Sequence, residues 1–475
     1  MIKTVTAIIT SVLATGLASL AHAEEHPLPE PIFAPTALAA LPVQQPLCPP
    51  IESSTEISVE DAVRYAICAH PTARQAVSEI RAHEAGLAVA WAAYAPTLTA
   101  QAMSKRNSES VNFSRSGEPT GMTWQHQRTM STSGELDFSW LIFDFGRRSA
   151  VIDRERALLA SSISAHDEVL QDVSFRAAEA FYSLERAQSM LDVACQIEKI
   201  TADSEEVTKA RHRLGAGNRS DELQAHASHE RAQLERVVAQ SDVQEARGRL
   251  LVSMGLAANT APLVSVKPSS ELASSIDIDG VDELIKRAMA IRPSLRVAQA
   301  EIDAARANAD LLARESLPTI SLVGSLSQSR SSYNGPGVDD PSTRRRGNMI
   351  GIQVSIPLLE AGISHFRAEQ ARAQADSRKS AYENEALGVS LDVWMSYHEL
   401  KSDMQNATNA AHLLDATNSA LGVAKVRYRS GVGSFAELLN AQKELADAHK
   451  IFVKITSNLR ISRIRLARSL GQLHL

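Results

Sequence analysis

The sequence predicts a mainly helical protein that carries part of a membrane β-barrel, built as a duplicated helix–strand–strand–helix unit. Three observations predict this. The chain repeats itself in register at an interval far too long for a solenoid. In each copy the apolar pattern changes period from 3.6 to 2 directly after a proline. Each copy then continues into a long proline-free stretch with apolar residues at heptad spacing.

Val59–Pro96 matches Val281–Pro318 at an offset of 222, placing Pro71, Arg74, Glu79 and Pro96 on Pro293, Arg296, Glu301 and Pro318. From Ser139 to Gly255 the offset is 216, placing Gly146, Gly215, Gly217 and Gly255 on Gly362, Gly431, Gly433 and Gly471. The slip between the two offsets lies between Pro96 and Ser139, in polar, turn-rich sequence where an insertion costs little.

Ahead of the repeats, Met1–Ala23 has one Lys near its start, an apolar stretch and Ala-His-Ala before Glu24, the pattern of a cleaved secretory signal. No later run of about 18 apolar residues appears, so any membrane crossing must use strands. Glu24–Pro50 holds eight prolines and reads as an extended leader that contributes little to a core. A net charge of −6, with both signs interspersed, does not point to nucleic acid as a partner and suits long, wet helix surfaces. Cys48 and Cys68 could pair in an oxidising periplasm, stapling the leader to the first helix, or stand as separate thiols. No ligand set for a metal and no cofactor motif is present, and an enzyme finds little support. There is no Gly-x-Ser-x-Gly turn or phosphate-binding glycine loop, and His226 and His229 lack zinc-hydrolase spacing.

Each repeat opens on a helix. Ser58 before Val59-Glu60-Asp61 reads as an N-cap with acids in the first turn, and Gly280 is its counterpart. Pro71 and Pro293 interrupt these helices, and Pro96 and Pro318 end them. Alternation follows: Leu136, Phe138, Trp140 and Ile142 against Glu135, Asp137 and Ser139, with a weaker strand at Leu98–Met103. In the second copy Ile320, Leu322 and Leu326 oppose Ser321, Val323, Ser325 and Ser327, and Ile350, Ile352, Val354 and Ile356 oppose Gly351, Gln353 and Ser355. Arg106–Met130 and Gln328–Gly347, rich in Ser, Gly, Asn and charge, read as long external loops.

Arg147–Leu214 and Ile363–Ser430 predict helices of about 100 Å at ~1.5 Å per residue. Ile163, Leu170, Ala177, Leu184 and Leu191 form one seam position, and Val173, Ala180, Ala187 and Ala194 another. Gly215-Ala216-Gly217 and Gly431-Val432-Gly433 turn each helix back into a returning one. An alanine ladder, Ala225, Ala232, Ala239 and Ala246, lines the first returning helix, and Leu438, Leu445, Phe452, Leu459 and Leu466 line the second. The resulting organisation is a signal peptide (1–23) and leader (24–57). A first repeat (58–260) follows, with a strand pair about 97–145 and a hairpin 147–255. A mixed linker (261–280) joins it to a second repeat (281–475), with strands about 319–358 and a hairpin 363–471.

Four strands cannot close a barrel, and an open edge in lipid leaves backbone groups unsatisfied at several kcal/mol each. Several chains must therefore share one barrel. Three would give twelve strands, although closure alone does not set that number.

With these elements in order, the chain resembles the TolC-like outer-membrane factor family. The resemblance covers roughly Val59 to Leu475. It rests on the duplicated order, on the Pro96-Thr-Leu and Pro318-Thr-Ile strand starts, and on the Phe143-Asp-Phe-Gly146 and Leu359-Glu-Ala-Gly362 strand ends. The stretch Tyr428–Gln442 adds to it. The leader ending Leu47-Cys-Pro-Pro50, with Cys68 beyond it, resembles the CyaE-like branch. The resemblance implies a homotrimeric, twelve-stranded barrel in lipid of the outer membrane, continued by a periplasmic α-helical coiled-coil tunnel. Its partners would be a periplasmic adaptor (membrane fusion) protein and an inner-membrane ABC or proton-driven transporter. The implied function is the exit duct for protein secretion or drug efflux. Implied gate or selectivity positions are Asp221, Tyr428, Glu437 and Asn440. Arg213, Leu214, Gly215, Gly217, Arg219, Arg429, Gly431 and Gly433 are implied for adaptor docking. Gly433 and Asn440 depart from the family pattern, which has arginine and aspartate there. A carboxylate ring of Glu437 residues at a narrow mouth would favour cations, while the same acid suits the helix dipole. The rival reading is a periplasmic adaptor, which would carry a single hairpin between small β-domains.

Overall fold

The computed structural model describes residues 56–113, 123–260, 265–266, 280–334, 342–358 and 362–473. The predicted signal peptide, almost all of the leader with Cys48, and most of the linker 261–280 lie outside the described residues. The first repeat contains β1 (Glu56–Ile57), α1 (Val59–Ala69), α2 (Pro71–Ala92), β2 (Thr97–Phe113), β3 (Thr123–Phe143), α3 (Arg147–Arg213) and α4 (Arg219–Ser253). The second contains β4 (Ser265–Val266), α5 (Val281–Ile291), α6 (Pro293–Ala313), β5 (Thr319–Asn334), β6 (Ser342–Ser355), α7 (Ile363–Arg429) and α8 (Phe435–Ser469). Among the described residues no helix is long and apolar enough to cross a membrane.

The short helices start as their sequences require. The Ser58 hydroxyl accepts from the Asp61 amide at 3.2 Å, while the Asp61 carboxylate accepts from the Ser58 amide at 3.4 Å, forming a capping box on α1. Pro71 and Pro293 each occupy the first turn of a new helix, so the predicted interruption is a clean break. Each break is covered by a glycine from the far end of its own repeat. Gly255 ends the turn after α4 at φ +81°, and an added Cβ there would lie 2.8 Å from the His70 Cα. Gly471 ends α8 at φ +72°, with the Arg292 Cα 3.1 Å from the same imagined atom. The offsets of 222 and 216 thus meet in space at equivalent contacts.

The leader's end departs from the expectation of an unstructured approach. Glu56–Ile57 pairs in parallel with Ser265–Val266, and Ile57 is buried among Phe181, Leu184 and Leu250. An apolar residue directly ahead of a helix cap is drawn into the core that the helix covers. Cys68 in α1 is disulfide-bonded and Cys195 in α3 is free. Around this level α1 packs on α3 and α5 on α7, forming two separate cores, the second built from Leu284, Val389, Val393 and Leu466.

The four long strands form one antiparallel sheet in the order β2-β3-β5-β6. They run 17, 21, 16 and 14 residues, so the stretches read as external loops are mostly strand. Partner backbones satisfy these polar segments without any apolar alternation, which is why period alone missed them. The register puts Leu98, Leu136, Phe138, Trp140, Leu326 and Ile352 on one face, and Thr99, Glu135, Asp137, Ser325 and Gln353 on the other. The predicted continuation of the apolar set to Ile142 is broken by a register shift between Leu141 and Phe143, which brings Phe143 opposite Ile320. The Ile142 carbonyl released by this bulge accepts from an Arg148 guanidinium nitrogen at 3.2 Å.

That arginine organises the turn from strand into α3. It donates to Asp144 through Nε at 2.9 Å and lies 4.1 Å from the Tyr94 ring centroid, while Asp144 also accepts from the Arg148 amide. Both partners are buried. The pair holds Phe145 at φ 52° and Gly146 at φ 82°, a left-handed step that a phenylalanine rarely takes.

The helices follow the same lateral order as the strands. α2 packs on α3, α3 on α6 and α6 on α7, and towards the tips α4 packs on α3 and α8 on both α3 and α7. The predicted alanine ladder of α4 is buried throughout, and Val173, Ala177, Leu184, Ala187 and Ala194 are buried in α3. Ile163, above them in the same heptad, is exposed.

The glycine at 255 should therefore be less replaceable than the one at 215, which has nothing near an added Cβ. Gly255→Ala is expected to cost about 2–3 kcal/mol against about 1 for Gly215→Ala, because only the former adds a backbone clash to left-handed strain. Melting curves of the two purified variants, compared with the parent, check the ranking.

Candidate functional site at the helical hairpin tips

Both long helices end on the same backbone solution. In the first, the Gly215 amide donates to the His212 carbonyl at 3.0 Å and the Ala216 amide to the Arg211 carbonyl at 2.9 Å, with Gly215 at φ +73°. In the second, Gly431 donates to Tyr428 at 3.1 Å and Val432 to Arg427 at 3.0 Å, with Gly431 at φ +80°. These are Schellman turns, and only the first glycine of each pair needs the left-handed region. The second glycine is needed for space. A Cβ on Gly217 would lie 3.1 Å from the Arg211 carbonyl carbon, and one on Gly433 would lie 3.2 Å from that of Arg427. Gly433, where the resemblance implied an arginine, is thus part of a turn folded tightly onto its own helix end.

The returning helices are capped by polar side chains. Asn218 accepts from the Ser220 amide at 3.2 Å to start α4, and Ser434 accepts from the Glu437 amide at 3.1 Å to start α8. Their acids lie where the N-terminal dipole favours them.

Between the two tips is a cleft of about 480 Å³, lined by Arg211, Gly217, Asp221, Tyr428, Gly433 and Phe435 among others. Arg211 spans it. One guanidinium nitrogen donates to the Tyr428 carbonyl at 2.7 Å, and the cation lies 4.8 Å from the Tyr428 ring centroid. Tyr428 is buried against Phe435, with ring centroids 5.6 Å apart. Burial pushes its phenol pKa up, opposed by the Arg211 charge and assisted by Asp221.

Of the predicted gate residues, the cleft unites Asp221 and Tyr428. Glu437 lies outside its lining and pairs with Arg427 at 3.0 Å, leaving each group about half exposed. Asn440 is exposed on α8. Gly215, Gly217 and Gly433 line the cleft, while Arg213, Leu214, Arg219, Arg429 and Gly431 are exposed on the tips. Arg211 was missed, yet the offset of 216 places it on Arg427. Two equivalent arginines end two equivalent helices, but one crosses to the other hairpin and the other stays with its own.

Higher in the first hairpin, Glu205 is buried at the α3–α4 contact. It accepts from Lys209, and its two oxygens meet the Nδ1 atoms of His226 at 2.9 Å and His229 at 2.6 Å. The hydrogen bond from Lys209 is the largest cause that lowers its pKa to about 2, outweighing desolvation, and both histidines add to it. His212 and Glu222 pair at 2.7 Å nearer the tip. His226 and His229, which lack zinc-hydrolase spacing, are thus partners of one carboxylate.

The family model described as "Outer membrane efflux protein" matches residues 62–256 and 284–472, one span in each repeat. Protein CyaE of Bordetella pertussis is 26% identical over 437 residues, covering 92% of this chain and 88% of the relative. Outer membrane protein TolC of Escherichia coli is 21% identical over 357 residues, covering 72% of this chain and 70% of its own. Among solved structures, the outer-membrane channel OprN superposes with a TM-score of 0.72 at 20% identity, covering 94% of this chain and 98% of that one. CusC gives 0.70 at 17% identity over 94% of this chain and 99% of its own.

Two measurements probe the site. Arg211→Ala should raise amide exchange across residues 426–432 roughly tenfold, the scale of one charge-assisted hydrogen bond. Unchanged exchange would remove Arg211 from the tip's stabilisation. Glu205 has a folded pKa below its ordinary 4.5, so its contribution is present above that pH and lost as pH falls towards about 2. The stability advantage of the parent over Glu205→Gln should therefore persist at neutral pH and shrink below pH 4.5 in acid melts.

Proposed function

The chain belongs to the outer membrane efflux protein family, and we propose that three copies close one twelve-stranded barrel whose helices continue as a single periplasmic tunnel. It is an outer-membrane channel protein, the exit duct of a tripartite export system, in a family of channels rather than enzymes. The observation that carries the trimer is the shared lateral order of strands and helices. One flank of the chain is β2 with α2 and α4; the other is β6 with α7.

Both flanks carry exposed apolar side chains. Leu387, Leu391 and Trp394 are exposed on α7, and Leu234, Val238 and Val252 on α4. Two different flanks joined head to tail generate a ring. Two copies would supply eight strands, a barrel whose interior is filled by side chains, whereas three supply twelve. The polar sheet face, with Glu135 and Asp137, would line the lumen, and the apolar face would meet lipid.

The tunnel's inner end would be the ring of hairpin tips, with the Arg211–Tyr428 contact tying the two hairpins of each chain. Exposed Leu214 and Val432, with Arg213, Arg219 and Arg429 around them, supply the surface for a periplasmic adaptor. An ABC or proton-driven transporter in the inner membrane would deliver the cargo. Two hairpins in one chain, joined by a four-stranded sheet, do not suit an adaptor.

Native mass spectrometry of detergent-extracted protein should give the mass of three chains, and planar bilayers should record discrete conductance; a folded, non-conducting monomer would overturn the reading. Because Arg427 partly neutralises Glu437, Arg427→Gln should shift the reversal potential towards stronger cation selectivity and Glu437→Gln the opposite way. Equal potentials in all three proteins would confine Glu437 to helix capping.

A further inference from the structure

The sheet register assigns five arginines to the same face as the apolar band. Arg106 lies opposite Met130, Arg128 opposite Ser108, Arg330 opposite Thr132 and Arg344, and Arg346 opposite Gln328. Followed along the strands, these positions share the parity of Leu98, Phe138, Leu322 and Ile352. The described residues of that face contain no acid; Glu109, Glu135 and Asp137 all take the opposite parity. The five arginines are exposed, and none makes an ion pair among the described residues.

Their height is informative. Ile320 and Val354 face each other at the periplasmic end of the band, next to Phe143. Ten residues of strand separate Ile320 from Arg330, about 33 Å along the strand at ~3.3 Å per residue, and about 25 Å along the membrane normal at a tilt near 40°. An outer-membrane barrel has an apolar band about 25 Å tall. By the same measure Arg346, opposite Gln328, lies about 20 Å up, so the arginines straddle the outward edge of the hydrocarbon and reach the lipid headgroups of the outer leaflet. The periplasmic end of the band has aromatics instead: Trp91, Tyr94, Trp140, Phe143 and Phe145 are exposed there.

We propose that Arg106, Arg128, Arg330, Arg344 and Arg346 form a collar that binds the phosphates of a phosphorylated outer-leaflet glycolipid, lipid A being the chemistry it fits. Guanidinium forks bind phosphate in bidentate fashion and stay charged at any physiological pH. A face without acids offers them no competing partner, and the apolar rows beneath take the acyl chains. Arg344 and Arg346 lie on β6 and Arg106 on β2, the two edges joined in the trimer, so closure makes the collar continuous. The inference rests on the barrel reading and adds a ligand to its outer rim.

The test uses the full chain in phosphatidylcholine nanodiscs doped with labelled bis-phosphorylated lipid A, counting lipid retained per assembly after washing. The parent is expected to retain lipid A in preference to phosphatidylglycerol, and millimolar inorganic phosphate should not displace it. R330Q/R344Q/R346Q should lose at least about tenfold retention, and R330K/R344K/R346K should keep part of it. Arg345 faces the lumen between two of these residues, so R345Q should bind as the parent does. Equal retention of phosphatidylglycerol, displacement by free phosphate, or the same loss in R345Q would overturn the collar. Conductance of the same preparations separates the two levels: a protein that conducts without retaining lipid A defeats this inference alone, and one that does not conduct defeats the barrel.

Discussion

In hydrocarbon no backbone amide or carbonyl can be left without a partner, and the rest of this molecule depends on that constraint. Three junctions inside the chain meet it, pairing β2 with β3, β3 with β5 and β5 with β6. The outer edges of β2 and β6, 17 and 14 residues long, are left over. A closed sheet is the arrangement without edges, so the proposed assembly would complete the fold rather than add to it. The helices inherit the same incompleteness, because their lateral order is set by the strands they continue. Exposed Leu387 and Trp394 on one flank and Leu234 and Val238 on the other belong to that shared incompleteness.

The duplication is obeyed most closely by the backbone. Four helix ends, at Gly215, Gly255, Gly431 and Gly471, use the same left-handed turn, and two of these glycines rest on the chain breaks before Pro71 and Pro293. Side chains diverge where the two copies have different neighbours. Arg148 and Asp144 tie strand to helix in the first repeat, whereas Ser364 stands at the matching position of the second. Arg211 and Arg427 are equivalent in sequence, yet only Arg211 reaches the other hairpin. In this way a twofold repeat produces a tip with two distinct halves.

Much of this was legible from residue pattern. The capping box at Ser58, the breaks at Pro71 and Pro293, the glycine turns and the alanine ladder are local features, and local preferences express themselves wherever the chain permits. The strands' outer halves were not legible, because Ser, Asn and Arg look the same in a paired strand as in a loop. Ile57 was read with the leader although it lies in the core, since its one-residue neighbourhood carries no period. Arg211 had a signal in the repeat, but its partner Tyr428 lies 217 residues away and on another hairpin.

By itself the sequence determined the inventory: two repeats, their strand faces, their helix lengths and the left-handed turns that reverse them. Those follow from periodicity, proline and glycine, which act within a few residues. Only the tertiary structure decided that β3 lies beside β5, that a bulge at Ile142 hands a carbonyl to Arg148, and that Arg211 rather than Glu437 shares a cleft with Tyr428. It also aligned arginines from four strands on the face that carries the apolar rows. Each of these depends on register between segments distant in the chain, and a shift of one residue would send every strand side chain to the opposite face.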